Sequence, residues 1–173
     1  LEFGVAIPTG VRALQVTLDE VLEDATNEMN GLARITLRRA QAQWRELDEH
    51  LVWCDERINA HAKDNEAVKH AASLMGIGPV GASAVVATVG DFKQFKNGAQ
   101  FGAWLGLVPK QRSSGGKSNL GTITKRGDPY VRTLLVQGAK SVVNSAHTRT
   151  DPISRWVLAL KERSGWQKAV VAL

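Results

Sequence analysis

Leu37, Ala40, Trp44, Leu47, Leu51, Cys54 and Ile58 recur at alternating steps of three and four residues. The register continues through His61 and Asn65 to Val68, Ala72 and Met75. A strand places every second residue on one face, so a repeat of roughly 3.5 residues held this long specifies a helix with a coiled-coil seam. The faces between carry Arg38, Arg39, Arg45, Glu46, Asp48, Glu49, Asp55, Glu56 and Arg57, as solvated helix surfaces do. Upstream, Leu14, Leu18, Val21, Leu22, Ala25 and Met29 form a second helical stripe, stopped by Asn30-Gly31. This first helix is about half as long, so it can fold back only on the start of the second. The remaining seam calls for a partner, and a second copy of the chain is the simplest one. Cys54 lies on the stripe and is read as a packing residue.

From Ser73 the pattern changes to short helices broken by glycine. Leu74-Met75-Gly76-Ile77-Gly78-Pro79 precedes the small-residue run Gly81–Ala87. Gly90-Asp91 ends that helix, and Asn97-Gly98 opens another that holds Phe101, Trp104 and Leu105 before Pro109. Residues 110–128 read as a polar, glycine-rich loop, with a short strand pair around 108–124. Asp128-Pro129 and Thr150-Asp151-Pro152 each pair a capping carboxylate with a proline suited to a first helical turn. The expectation is a mainly all-α fold. A long antiparallel, coiled-coil helical arm (1–70) precedes a small domain (71–173) with a helix-hairpin-helix-like motif and a basic Gly/Ser-rich loop.

Charge divides the chain in the same way. Residues 1–70 hold 8 Lys/Arg against 13 Asp/Glu, net −5, whereas 71–173 hold 14 against 4, net +10. The second part has the electrostatic footprint of something that meets phosphates. One cysteine excludes an internal disulfide and fits a reducing cytoplasm. No apolar run approaches the ~18 residues of a membrane span. His50, His61, His70 and His147 are isolated from one another and from Cys54, so no zinc pattern and no metal site is expected.

Two motifs can carry chemistry. In Gly76-Ile77-Gly78, glycines permit a tight hairpin whose following helix offers backbone N–H groups to a DNA phosphate, blind to sequence. The same pattern also serves as a helix turn within a core. In Lys110-Gln111-Arg112-Ser113-Ser114-Gly115-Gly116-Lys117-Ser118, two adjacent hydroxyls sit among cations that would stabilise charge on a phosphate under attack. Serine needs activation, and no His or carboxylate lies close in sequence. Taken alone, the run also reads as a flexible loop, and it lacks Walker spacing. Arg132 and Lys140 follow on a helix, where a solvated face is the alternative to phosphate contact.

The ordered blocks Gly76-Ile77-Gly78-Pro79, Gly90-Asp91, Phe101-x-Ala103-Trp104-Leu105-Gly106-Leu107-Val108-Pro109, Ser113-Ser114-Gly115-Gly116-Lys117, Leu120-Gly121-x-Ile123-Thr124-Lys125-x-Gly127-Asp128 and Arg132-Thr133-Leu134-Leu135 resemble the C-terminal domain of insertion-sequence 110 family transposases. The resemblance is closest over 74–173, and the helical arm looks like the segment between that family's domains. It implies a DNA transposase that acts with a guide RNA, as a dimer or tetramer assembled through the coiled coil, in the bacterial cytoplasm at the nucleoid. A serine would cleave and exchange strands; Ser113 is the favoured nucleophile and Ser114 the alternative. Gly76, Gly78, Arg112, Lys117, Lys125, Arg126 and Arg132 would contact DNA. Asp128 stands where Asn is common in relatives, and either residue caps a helix. Magnesium is expected in an N-terminal RuvC-like domain, and no cofactor in this stretch. The chain starts Leu1-Glu2-Phe3 and ends in an amphipathic run, as expected of a segment of a longer protein. The competing expectation is a non-catalytic helix-hairpin-helix module for nucleic-acid binding and dimerisation.

Overall fold

The computed structural model describes residues 5–112 and 119–173. Among them run α1 (Val11–Glu23), α2 (Gly31–Asp64), α3 (Glu66–Ala72), α4 (Pro79–Val89), α5 (Gly98–Trp104), β1 (Pro109–Gln111), β2 (Leu120–Ile123), α6 (Pro129–Ser145), α7 (Pro152–Ser164) and α8 (Trp166–Ala172). The fold is mainly all-α, and the one small sheet among the described residues falls where the sequence places a strand pair. The chain divides into two units, Leu1–Asp55 and Glu56–Leu173.

In the first unit α1 folds back antiparallel on the start of α2. Leu18, Leu22 and Met29 are buried, with Leu14, Val21, Ala33 and Leu37 packed around them. Asp19 receives Arg45 and Gln41 at 2.8 and 2.7 Å, and Gln15 reaches Asp48 at 3.2 Å. The α1 stripe was expected to run helically to Met29, but the helix stops at Glu23. Asp24 there turns its carboxylate onto the Thr26 N–H and hydroxyl at 2.8 and 2.6 Å. Those two bonds hold the carboxyl of Asp24 below its ordinary range, the hydroxyl contributing most. Arg34 closes the corner: Nη1 donates to the carbonyls of Val21, Leu22 and Asp24, and Nη2 to Asn27. A cation thus satisfies the orphan acceptors at the helix end. Further along α2, Leu47, Leu51 and Cys54 are exposed. The packing role expected for Cys54 is therefore not filled within this chain.

The seam expected to continue to Met75 breaks at Asn65. Its backbone is extended (φ −103°, ψ 115°) and its side chain accepts the Val68 N–H at 3.1 Å, starting a new helix. Val68 and Ala62 instead enter the core of the second unit with Ala82, Ile77 and Val86. That unit is arranged around α6. One cluster joins Val85, Val89, Leu105 and Val131; another joins Val143, Ala146, Val157, Ala169 and Val170. Asp128 caps α6 through the Val131 N–H at 2.8 Å. Asp151 caps α7 through both the N–H and the hydroxyl of the fully buried Ser154, at 2.9 and 2.6 Å. Both were legible as Asp-Pro pairs. Trp166 Nε1 ties α8 to Asn144 of α6 at 3.0 Å.

Candidate nucleic-acid interface

β1 and β2 pair antiparallel, with Pro109 opposite Ile123 and Gln111 opposite Leu120, and an irregularity between those pairs. The Arg112 N–H donates to the Asn119 carbonyl at 2.9 Å, so the described residues flanking 113–118 are held together. The expected nucleophiles Ser113 and Ser114, and with them Lys117, lie outside the described residues. Lys110, Arg112, Asn119, Gly121 and Thr122 line a polar recess on the strands that lead into and out of that stretch.

At the other end of the hairpin the chain crosses itself. The Thr124 N–H donates to Val108 and the Lys125 N–H to Gly106, both at 2.9 Å. Gly127 lies so close to the Trp104 carbonyl and the Leu105 backbone that any side chain there would collide with them. Lys125 adopts φ +58°, a left-handed conformation unusual for a non-glycine residue. It and Arg126 are exposed. Among the described residues, Lys110, Arg112, Lys125 and Arg126 take part in no ion pair. An unneutralised cluster of this kind attracts anions most strongly.

Arg132, expected to contact phosphate, is half-buried, and its Nη1 donates to the Leu105 and Gly127 carbonyls at 3.1 and 2.9 Å. It fastens the first turn of α6 to the α5 end. Its position in sequence could not distinguish this from a phosphate contact, because the carbonyls it meets belong to turns defined only in three dimensions.

Gly76 and Gly78 lie between α3 and α4. Gly76 takes φ +87°, as a tight hairpin requires, while Gly78 is the extended N-cap of α4 (φ −85°, ψ 177°). The hairpin is seated on α6: a Cβ on Gly138 would land on the Gly76 carbonyl oxygen. Pro79 has no N–H, and those of Val80 and Gly81 stand in the first turn without intrahelical acceptors. Gly138 follows Arg132 by six residues, about 9 Å along α6. One helix therefore positions both the basic hairpin and the glycine turn. Two exposed aromatics, Trp104 and Tyr130, stand beside the basic turn, and their sequence positions do not signal a role. In sequence, Trp104 reads as an apolar helix position within one of the blocks that carry the family resemblance, and Tyr130 follows a helix-starting proline.

Among the described residues no three His, Cys, Asp or Glu side chains gather to hold a metal ion. Nor is any helix among them long and apolar enough to cross a membrane.

Residues 68–152 match the model of the Transposase IS116/IS110/IS902 family. The chain belongs to this family of transposases. It is 39% identical over 99% of its length to the "Probable family 20 transposase" of Pseudomonas aeruginosa, covering 51% of that protein. It is 37% identical over 99% of its length to the transposase for insertion sequence element IS1111A of Coxiella burnetii, covering 47%. To the transposase for insertion sequence element IS1328 of Yersinia enterocolitica it is 33% identical over 91% of its length, covering 46%. The chain thus spans about half the length of these relatives. No solved structure matches it.

Proposed function

We propose that this chain supplies the serine-bearing half of a DNA recombinase that moves an insertion sequence. The observation that carries the reading is the set of Lys110, Arg112, Lys125 and Arg126, exposed and, among the described residues, without ion pairs, along the hairpin that enters and leaves 113–118. In this reading the phosphodiester lies along those cations. The Ser113 oxygen bonds to phosphorus, one bridging phosphorus–oxygen bond breaks, and the serine proton ends on the released sugar oxygen. Fixed positive charge stabilises the extra charge on the phosphate as the bond forms. Arg132 acts indirectly, by keeping the Lys125–Arg126 turn against α5. The α4 N-terminus is a second, sequence-blind phosphate contact in the same reading. Guide RNA, self-association through α2, and a magnesium-binding half elsewhere in the complete protein belong to this reading too. The described residues hold no matching donor set, so no step here passes through the metal.

The test is a transposition assay on a complete protein containing this sequence. Ser113→Ala should reduce strand exchange by roughly a thousandfold or more, with DNA binding retained, as expected for a removed nucleophile. Ser114→Ala should leave most activity. The reverse result would move the nucleophile to Ser114. If neither substitution matters, the chain is a non-catalytic binding module.

A further inference from the structure

Trp104 ends α5 with 36% of its surface exposed, its ring stacked on Phe101 at 6.0 Å and set edge-on to Phe95 at 5.6 Å. Tyr130, in the first turn of α6, is 60% exposed. Among the described residues neither the Trp104 indole N–H nor the Tyr130 hydroxyl has a hydrogen-bond partner, and the Tyr130 ring meets no other aromatic ring. The two residues belong to segments locked together by the Gly127–Trp104 backbone approach and by the two Arg132 bonds. In the chain, Lys125 and Arg126 lie between them. The one carboxylate in this turn, Asp128, is engaged by the Val131 N–H.

The Tyr130 ring, mostly exposed and with its polar edge unused, contributes little to the fold. Beside unpaired cations it has the composition of a single-strand binding surface, where cations follow the backbone and rings stack on bases. A duplex hides its base faces, so only unpaired nucleotides can use the rings. We propose that Trp104 and Tyr130 form a stacking surface for unpaired bases of a nucleic-acid strand whose phosphates run along Lys125 and Arg126. The inference rests on the reading that this basic surface meets nucleic acid, and it adds the requirement for a single-stranded stretch.

The 173-residue chain should be titrated with a thymidine 20-mer, a uridine 20-mer and a 20-base-pair duplex. Tyr130→Ala should weaken single-strand binding about tenfold while leaving duplex binding within about twofold, and Tyr130→Phe should restore it. Tyr130 is exposed, so its removal should not unfold the chain. Trp104 also packs inward; for it, photocrosslinking to a 5-iodouracil-substituted strand avoids substitution, and the adduct should map to Trp104 or Tyr130. A larger Tyr130 effect on the uridine strand assigns the ligand to RNA, and on the thymidine strand to DNA; either supports the inference. Equal losses on single strand and duplex, no loss on either, or adducts confined to other segments would overturn it while leaving the recombinase reading in place. A chain that binds none of the three ligands would overturn both.

Discussion

Gly138 shows how one atom can decide the sign of a substitution. Glycine within a helix costs about 1 kcal/mol relative to alanine, so Gly138→Ala on an open face would stabilise α6. Here the added methyl meets the Gly76 carbonyl oxygen, which is backbone and cannot rotate away. The α3–α4 turn would have to lift off α6, at an overpacking cost of about 1–3 kcal/mol. Gly138→Ala should therefore lower Tm by several degrees in thermal unfolding followed by circular dichroism. Unchanged or raised stability would mean that the glycine turn is not seated on α6. The sequence flagged Gly76 as a hairpin residue, from Gly-x-Gly spacing. It gave no hint of Gly138, because what demands a glycine there is a carbonyl some 60 residues away in the chain.

Among the elements, α2 was the most legible and also the one misjudged at its end. Its apolar repeat specified a helix with a folded-back α1, and the Asp19–Arg45 pair and the packing of Leu37 against the Leu18, Leu22 and Met29 cluster follow. What the repeat could not reveal is that Asn65 uses its side chain to cap a new helix, since Asn at a seam position is equally compatible with a continuous one. The hairpin was legible as a strand pair, but the role of Arg132 was not, for want of the turns it fastens. Along α2, Leu47 and Leu51 are 53% and 62% exposed. Burial of each leucine against a partner helix is worth about 1.5–3 kcal/mol. Leu51→Asp should therefore weaken self-association at least tenfold in analytical ultracentrifugation, with helicity unchanged because the Leu51 side chain is mostly exposed. If the chain with its natural sequence stays monomeric at high concentration, or if Leu51→Asp leaves its association intact, the exposed stripe has another use.

At the scale of the molecule, charge and fold divide together. Residues 1–55 carry net −5 and 56–173 net +10, so the charge changes sign at the boundary between the two units. A polyanion is repelled by the first unit and drawn to the second, and this selects the surface before any specific contact forms. The strength of that selection is measurable. If Lys110, Arg112, Lys125 and Arg126 each neutralise one phosphate, log K for duplex binding should fall against log salt with a slope of about −3.5, and for a single strand about −3. Lys125→Gln with Arg126→Gln should make the duplex slope shallower by about two, because two counterions fewer are released. The same pair of changes should leave unfolding near that of the parent chain, as both side chains are exposed. A slope near zero would remove phosphate contact as the source of binding. A steep slope unaffected by the double substitution would instead place the contact elsewhere on the basic unit, with the α4 N-terminus then the first surface to test.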